Sequence, residues 1–475
     1  MSKKITLALG PILFLLIYNL PWTLISPEAD KVIAVATWMI LWWITETVSI
    51  SVTSLIPLTF FPLVGIMDIK TVAANYGSPI VFLFFGGFVM ALALEKVNLH
   101  KRIALNIVKL TGTTPDKVIL GFMIATAFLS MWISNTATTV VMLPIGLSVI
   151  ELLKKDANGF TKGDKNFALA LMLGIAYAAN VGGIATIIGT PPNTVMVGFM
   201  EQQYQADISF IQWMTMGVPF SLLMITIIYL VLVKLVYPNG LSTDQGTTQI
   251  IDQKLAALGP MQPLEKRVLL LFILAMLFWI LRRSINEWFP FLSFSDAGIS
   301  LLAAFAMFTL PFKYSADQFI LQWEDTQKLP WGILILFGGG LALASGLAQV
   351  GIIDLIGQTV SQNVSLSLLL VGAILIAIML FMTELMSNVA LVAIFAPMVA
   401  GVAIGLEVDM LHLLIPVTMA SSCAFMLPMA TPPNAIVFAS GYIKVKEMAR
   451  AGIVLNLISI AILIFYMRFI IPMVF

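Results

Sequence analysis

Long apolar runs separated by short polar clusters recur along the whole chain, as from Ile5 to Ile25, around Val268 to Leu281 and from Ala449 to Val474. A run of ~20 apolar residues is long enough to cross a bilayer as a helix. Repetition of such runs excludes a signal peptide followed by a soluble domain. Spanning helices are expected over residues 5–26, 31–49, 51–66, 79–97, 167–200, 211–237, 266–289, 296–312, 330–350, 409–443 and 449–474. Two further apolar stretches, 115–153 and 364–405, carry a polar break at their middles and read as re-entrant hairpins that enter and leave on one side. Simple spans throughout are the alternative. The predicted fold class is an all-α polytopic membrane protein with eleven transmembrane helices and two re-entrant hairpins.

Composition agrees. The 475 residues are 60% hydrophobic and 10% charged, against roughly 25% charged in soluble chains. A net charge of +1 offers no polybasic surface for nucleic acid. The one cysteine, Cys423, sits in an apolar stretch and reads as a small buried hydrophobe; it excludes a disulfide framework. His100 and His412 fall at expected helix ends, outside any metal-ligand spacing. Trp38, Trp42 and Trp43 are expected to form an interfacial or dimer surface.

Charge also sets the expected sidedness. With Lys3 and Lys4 in the cytoplasm and the spans alternating, only Lys31, Lys70, Arg282, Arg283 and Arg468 of the 25 Lys and Arg fall outside. Inside loops carry the excess of cations, so this bias supports a cytoplasmic N-terminus and both hairpins.

The two halves repeat. Phe85-Gly86-Gly87 answers Phe337-Gly338-Gly339 at an offset of 252, and Ser134-Asn135 answers Ser387-Asn388 at 253. Thr190-Pro191-Pro192-Asn193 answers Thr431-Pro432-Pro433-Asn434 at 241, because the polar loop 154–166 shrinks to Leu406–Asp409 in the second half. An odd number of crossings separates the copies, so the second is inverted. The polar stretch 238–263 is the expected linker between halves. Inverted repeats with broken helices place a binding site near the bilayer midplane.

The breaks carry the chemistry. Each Ser-Asn tip begins a helix, where free N–H groups and the helix dipole favour an anion and Ser or Asn acts as cap. Proline interrupts the hydrogen-bond ladder and frees carbonyls such as those of Gly189 and Ala430. Carbonyls, hydroxyls and amide oxygens are hard ligands for small cations. There is no Asp, Glu, Lys, Arg or His from Phe122 to Ile150, from Phe167 to Met200 or from Leu413 to Tyr442, and the second hairpin carries only Glu384. A dianion would therefore be held by neutral dipoles, helped by bound cations. A single Ser-Asn-Thr in a membrane helix is ordinarily a back-bonded polar turn; two copies paired with two Thr-Pro-Pro-Asn breaks point to function. The Gly86-Gly87 and Gly338-Gly339-Gly340 clusters read as sites of close helix packing. Glu46 and Glu384, as acids within apolar segments, are functional candidates, although Glu384 can equally brace its hairpin through hydroxyls.

The four motifs in inverted halves resemble the divalent anion/sodium symporter family, the INDY-type di- and tricarboxylate transporters, over nearly the whole chain. The resemblance implies that the tips and unwound loops bind substrate carboxylates, here Ser134, Asn135, Thr136, Thr190, Pro191, Ser387, Asn388, Val389, Thr431 and Pro432. It implies sodium sites at Ser130, Ser134, Asn135 and Gly189, and at Thr383, Met386, Asn388 and Ala430, with no other cofactor. It further implies a homodimer in the plasma membrane, with a static scaffold and a transport domain that moves as an elevator. The corresponding division is scaffold at 1–110 and 266–360, transport domain at 111–237 and 361–475, and a cytoplasmic linker at 238–265. Many members carry Thr where this chain has Val389, so one hydroxyl is missing from the second tip.

The function expected is secondary transport of C4-type dicarboxylates such as succinate, malate, fumarate or 2-oxoglutarate, by sodium symport or by exchange. Citrate or an inorganic divalent anion such as sulfate is the alternative on the same fold. A membrane enzyme would need a nucleophile with its base, paired aspartates or a metal set, and the sequence has no such constellation. A channel fits two opposed closed hairpins less well than alternating access does.

Overall fold

The computed structural model describes residues 3–20, 23, 25–112, 114–153, 161–241, 246–311, 319–363 and 367–475. Lys154, Lys155 and Lys313 of the expected inside set, and parts of the 154–166 loop and the 238–265 linker, lie outside them. The regular elements among the described residues are all helices, apart from an isolated bridge between Pro311 and Phe319.

An N-terminal group holds α1 (Lys3–Tyr18), α2 (Pro27–Thr45), α3 (Ile50–Thr53), α4 (Ile56–Leu63) and α5 (Ile69–Tyr76). The first repeat then runs through α6 (Pro79–Lys96), α7 (Leu99–Thr111), α8 (Pro115–Ser130), α9 (Asn135–Leu153), α10 (Lys162–Ile184), α11 (Pro191–Tyr204) and α12 (Phe210–Tyr229), which continues as a π-helix to Val236. Next come α13 (Gly246–Ala257), α14 (Pro263–Trp288) and α15 (Asp296–Thr309). The second repeat is α16 (Trp331–Gln349), α17 (Ile352–Asn363), α18 (Leu368–Thr383), α19 (Asn388–Gly405), α20 (Leu411–Ser421), α21 (Pro432–Phe438) and α22 (Val445–Phe465), which passes through a π segment into α23 (Ile471–Val474).

Local chemistry fixes these boundaries. Proline opens α6, α8, α11, α14 and α21, where its missing N–H costs nothing. Reciprocal capping boxes start α10 (Thr161 and Asp164) and α12 (Ser209 and Gln212). Each expected hairpin is a pair of helices meeting at its Ser-Asn break, α8 with α9 and α18 with α19. The 16 residues of α8 and of α18 give arms of about 24 Å, short of a bilayer core.

Among the described residues, seven helices are long and apolar enough to cross a membrane alone. Six coincide with expected spans, and the seventh is α19, an arm of the second hairpin. The expected spans 5–26, 31–49, 51–66, 296–312 and 409–443 fall on shorter or interrupted helices; 51–66, for instance, breaks between α3 and α4. Helix α10 is wholly buried across its apolar window, whereas only 22% of that of α14 is buried. The first is the axis of the bundle, and the second turns its apolar side outward.

Ion pairs join groups that the charge bias puts on one side. Lys96 meets Asp325 (2.6 Å), Arg102 meets Glu265 (2.7 Å), Lys109 meets Asp252 (2.7 Å), Lys165 meets Glu447 (2.7 Å) and Lys234 meets Asp116 (2.5 Å). At the opposite end Arg282 bridges Asp207 (2.9 Å) and Asp296 (3.3 Å).

Two readings need correction. Trp38 and Trp43 are buried rather than presented at an interface: Trp38 packs among Phe14, Trp42 and Phe60, and the Trp43 indole donates to the Ile50 carbonyl (3.2 Å). Gly10 permits this, since a Cβ there would lie 2.5 Å from Trp38. Glu46 is exposed and ends α2 in a left-handed turn (φ 43°), so it stands at a helix terminus rather than in the middle of a span. Within the expected linker, α13 packs against α7 and α9.

The glycine clusters do pack closely. A Cβ on Gly86 would meet the Ser300 backbone at 2.6 Å, and one on Gly339 would meet the Ser54 carbonyl at 2.3 Å.

Candidate functional site

Each hairpin tip is built from the same three parts. In the first, the Ser130 hydroxyl shares its proton between Asn135 Oδ1 (2.5 Å) and the Ala179 carbonyl (2.8 Å). In the second, the Thr383 hydroxyl does so between Asn388 Oδ1 (2.6 Å) and the Ser421 carbonyl (2.7 Å). The hydroxyl one turn before each tip thus clamps the tip asparagine to the last turns of α10 or α20. Ser134 and Ser387 cap the helices that follow, accepting from the Ala137 N–H (3.2 Å) and the Ala390 N–H (3.5 Å). Thr136 is exposed, and Val389 is half-buried beside Ser387.

The breaks lie against these clamps. Thr190 and Thr431 cap α11 and α21, each followed by its proline pair. Asn193 and Asn434, the last residues of the two motifs, act as staples for the carbonyls that the breaks free. The Asn193 amide donates to Thr186 (2.8 Å) and Gly183 (3.3 Å), and that of Asn434 to Ala424 (3.0 Å) and Leu427 (3.1 Å). A Cβ on Gly183 would lie 2.6 Å from Asn135 Oδ1 and 3.0 Å from the Gly189 carbonyl. The first tip and the first break therefore present oxygens to one point, and only glycine leaves that point open.

The motifs converge. Adjacent residues of α10 serve two of them: the Ala179 carbonyl holds the first tip, and the Asn180 side-chain amide reaches Thr431 Oγ1 (3.1 Å) and Asn434 Oδ1 (3.2 Å) of the second break. Tyr177, one turn earlier, donates to the Phe425 carbonyl (2.6 Å). Helix α21 packs on α9 and α11 on α19, so each break helix rests on the other repeat's hairpin. Of the expected cation ligands, Ser130 with Asn135, and Thr383 with Asn388, are joined by hydrogen bonds. Met386 is half-buried at its turn and Ala430 buried at the end of the second break; no hydrogen bond among the described residues links either to Asn388.

Glu384 resolves against its expected hydroxyl partners. It is buried, and its carboxylate accepts from the backbone N–H groups of Phe425 (2.8 Å), Met426 (2.9 Å) and Leu427 (3.0 Å) and from the Asn456 amide (2.8 Å). It braces the second break, not its own hairpin. The first repeat has Met131 at this place, whose carbonyl accepts from the Thr186 hydroxyl (2.5 Å). Asn180, Asn456 and Tyr177 are the contributors that the sequence reading missed. Isolated polar residues in the apolar helices α10 and α22 were the available signal.

Among the described residues, no three His, Cys, Asp or Glu side chains gather into a metal site. The oxygens at the tips are hydroxyls, amides and carbonyls, a donor set for a small hard cation and not for a transition metal.

The family model described as the sodium:sulfate symporter transmembrane region matches residues 2–475. A sodium-dependent dicarboxylate transporter, SdcS, of Staphylococcus saprophyticus is 39% identical over 480 residues, covering 99% of this chain and 92% of the relative. SdcS of Staphylococcus aureus is 40% identical over 483 residues, covering 100% and 92%. The solved structure of the Alcanivorax borkumensis YdaH transporter is similar at a TM-score of 0.52 and 12% identity, over 84% of this chain and 88% of that one; at that identity the likeness is of fold. Matched over nearly its full length, the chain belongs to the sodium:sulfate symporter family, the divalent anion/sodium symporters, and is a membrane transporter rather than an enzyme.

Proposed function

We propose that this protein couples sodium entry to uptake of C4-type dicarboxylates such as succinate, malate, fumarate or 2-oxoglutarate. The observation that carries the reading is the 39–40% identity, over at least 99% of the chain, to sodium-dependent dicarboxylate transporters. The site supports it. Substrate carboxylates lie between the two tips and two breaks, at Ser134, Asn135, Thr136, Thr190, Pro191, Ser387, Asn388, Val389, Thr431 and Pro432, and take hydrogen bonds from hydroxyls, amides and helix N-termini. Sodium ions take the oxygens of Ser130, Ser134, Asn135 and Gly189, and of Thr383, Met386, Asn388 and Ala430.

Charge explains the coupling. A dianion brings two negative charges into a region without Lys or Arg. Uncompensated buried charge is expensive. Each bound sodium removes one unit of it, so anion and cations load together. Hairpins, α10 to α12 and α20 to α22 then move as a transport domain against a scaffold of residues 1–110 and 266–360, in a homodimer of the plasma membrane with cytoplasmic N-termini. Sulfate is the second reading, favoured by the family's description and by the neutral dipoles of the site. Competition separates the two: excess unlabelled malate should abolish labelled succinate uptake while sulfate leaves it, and the reverse order would sink the dicarboxylate reading. Asn135→Ala and Asn388→Ala should each reduce uptake to background; wild-type rates in both would overturn the site.

A further inference from the structure

The two break threonines are equivalent in sequence but not in their bonding. Thr431 Oγ1 accepts from the Asn434 backbone N–H (3.3 Å) and from the Asn180 amide (3.1 Å). A hydroxyl has two acceptor lone pairs and one proton, so both acceptor positions are filled and only the proton remains to be given. Thr190 caps α11, and its side chain makes no hydrogen bond among the described residues, so its hydroxyl keeps both roles. The difference traces to α10. Asn180 corresponds to Ser422 of the second repeat at the offset of 242 that also relates Ala179 to Ser421, and the Ser422 hydroxyl is buried with no partner among the described residues.

The amide orientation of Asn180 is settled by its surroundings. Asn434 spends its own NH2 on the Ala424 and Leu427 carbonyls, so its Oδ1 faces Asn180. Reversing Asn180 would set Oδ1 against that oxygen and against the Ala424 carbonyl, which lies 3.5 Å from Nδ2. Asn180 Oδ1 meanwhile has no partner among the described residues. The residue is fully buried, and its donor end carries its whole polar contribution.

We propose that Asn180 is a positioning residue that fixes the Thr431 hydroxyl as a hydrogen-bond donor toward the transported anion, making the second break the preorganised end of the site and the first break the adaptable end. A fixed donor suits an acceptor-only oxyanion and loses nothing to reorientation when the anion arrives. The inference rests on the reading of this site as an anion site, without depending on which dianion it carries.

The test is a double-mutant cycle in proteoliposomes at saturating sodium. Asn180→Ser copies Ser422, and Asn180→Asp keeps the size while removing the donor. Each should raise KM for succinate about three- to tenfold, with kcat and the half-saturating sodium concentration unchanged. Thr431→Ala should also raise it, and adding Asn180→Ser to Thr431→Ala should raise it no further. An unchanged KM in whichever Asn180 variant elutes as folded protein, an unchanged KM in Thr431→Ala, or independent multiplication of the two effects would overturn the assignment. Should wild-type protein accumulate sulfate and not succinate, the dicarboxylate reading falls, and the same cycle measured with sulfate decides this one.

Discussion

Val389 breaks the symmetry of the tips at a single side chain. Thr136 supplies a hydroxyl at the corresponding place of the first hairpin, while Val389 is half-buried and offers only methyl groups. A neutral hydrogen bond contributes about 0.5–1.5 kcal/mol net, roughly two- to tenfold in affinity. Val389→Thr should therefore lower the KM for succinate by that factor, as measured from initial uptake rates; an unchanged or higher KM would place the side chain away from the substrate. At this scale the sequence was most legible where a motif repeated. Ser130 and Thr383, Ser134 and Ser387, and Asn135 and Asn388 occupy matched positions because spacing within a hairpin is set by helix geometry. It was least legible for isolated polar residues. Nothing in the spacing of Asn180 or Asn456 tells that one reaches Thr431 and the other reaches Glu384 across the fold. Glu384 itself was visible as an anomaly, but its partners are backbone N–H groups of a loop 41–43 residues away, which have no side-chain signature.

Helix breaks were predicted and found because proline and Ser-Asn act locally. Amphipathic α7 and α17, which link α6 to α8 and α16 to α18, went unrecognised, as did α5 and α13; the search for long apolar runs passes over short mixed helices. The ends of elements also carry a measurable charge effect. Burial works against the Glu447 carboxylate, but the nearby Lys165 ammonium and its bond to the Lys444 N–H outweigh it and hold the pKa below the usual 4.5. A depressed folded-state pKa gives stability that is present above the unfolded value and is lost as pH falls through the folded value. The melting temperature should accordingly fall on acidification through the carboxylate range, and Glu447→Gln should flatten that part of the profile. A variant with the same acid slope as wild type would contradict the assignment. The pair is partly exposed, so high salt should shrink the difference.

At the scale of the whole molecule, the boundary between expected scaffold and expected transport domain is both smooth and sparsely bonded. The last glycine of each cluster faces across it: a Cβ on Gly87 would lie 3.6 Å from Ile188 Cβ on the first break, and one on Gly340 would lie 3.1 Å from Ala393 Cβ on α19. Polar links gather at the foot of α11, where Gln202 and Gln203 meet Asn75 and Ser345, and where Asp207 and the Phe210 N–H meet Arg282 and Asp296. A body that slides must break these few contacts and pass over the glycines. A Cβ separation of 3.6 Å suits a disulfide. The double variant Gly87→Cys with Ile188→Cys should lose transport on oxidation and recover it with reductant, while each single variant is unaffected. Full activity of the demonstrably cross-linked protein would rule out relative motion at this surface. The inverted repeat was readable from offsets alone, but the exchange of partners between repeats, α21 on α9 and α11 on α19, was not, since packing between halves leaves no periodic trace.

The central claim is that an inward sodium gradient drives dicarboxylate accumulation through the four-motif site, and uptake of labelled succinate into proteoliposomes tests it directly. The vesicles are prepared with and without a sodium gradient, and with and without internal dicarboxylate. Accumulation above the external concentration with sodium outside and no dicarboxylate inside is the predicted result. Uptake that is indifferent to sodium and requires internal dicarboxylate would contradict it.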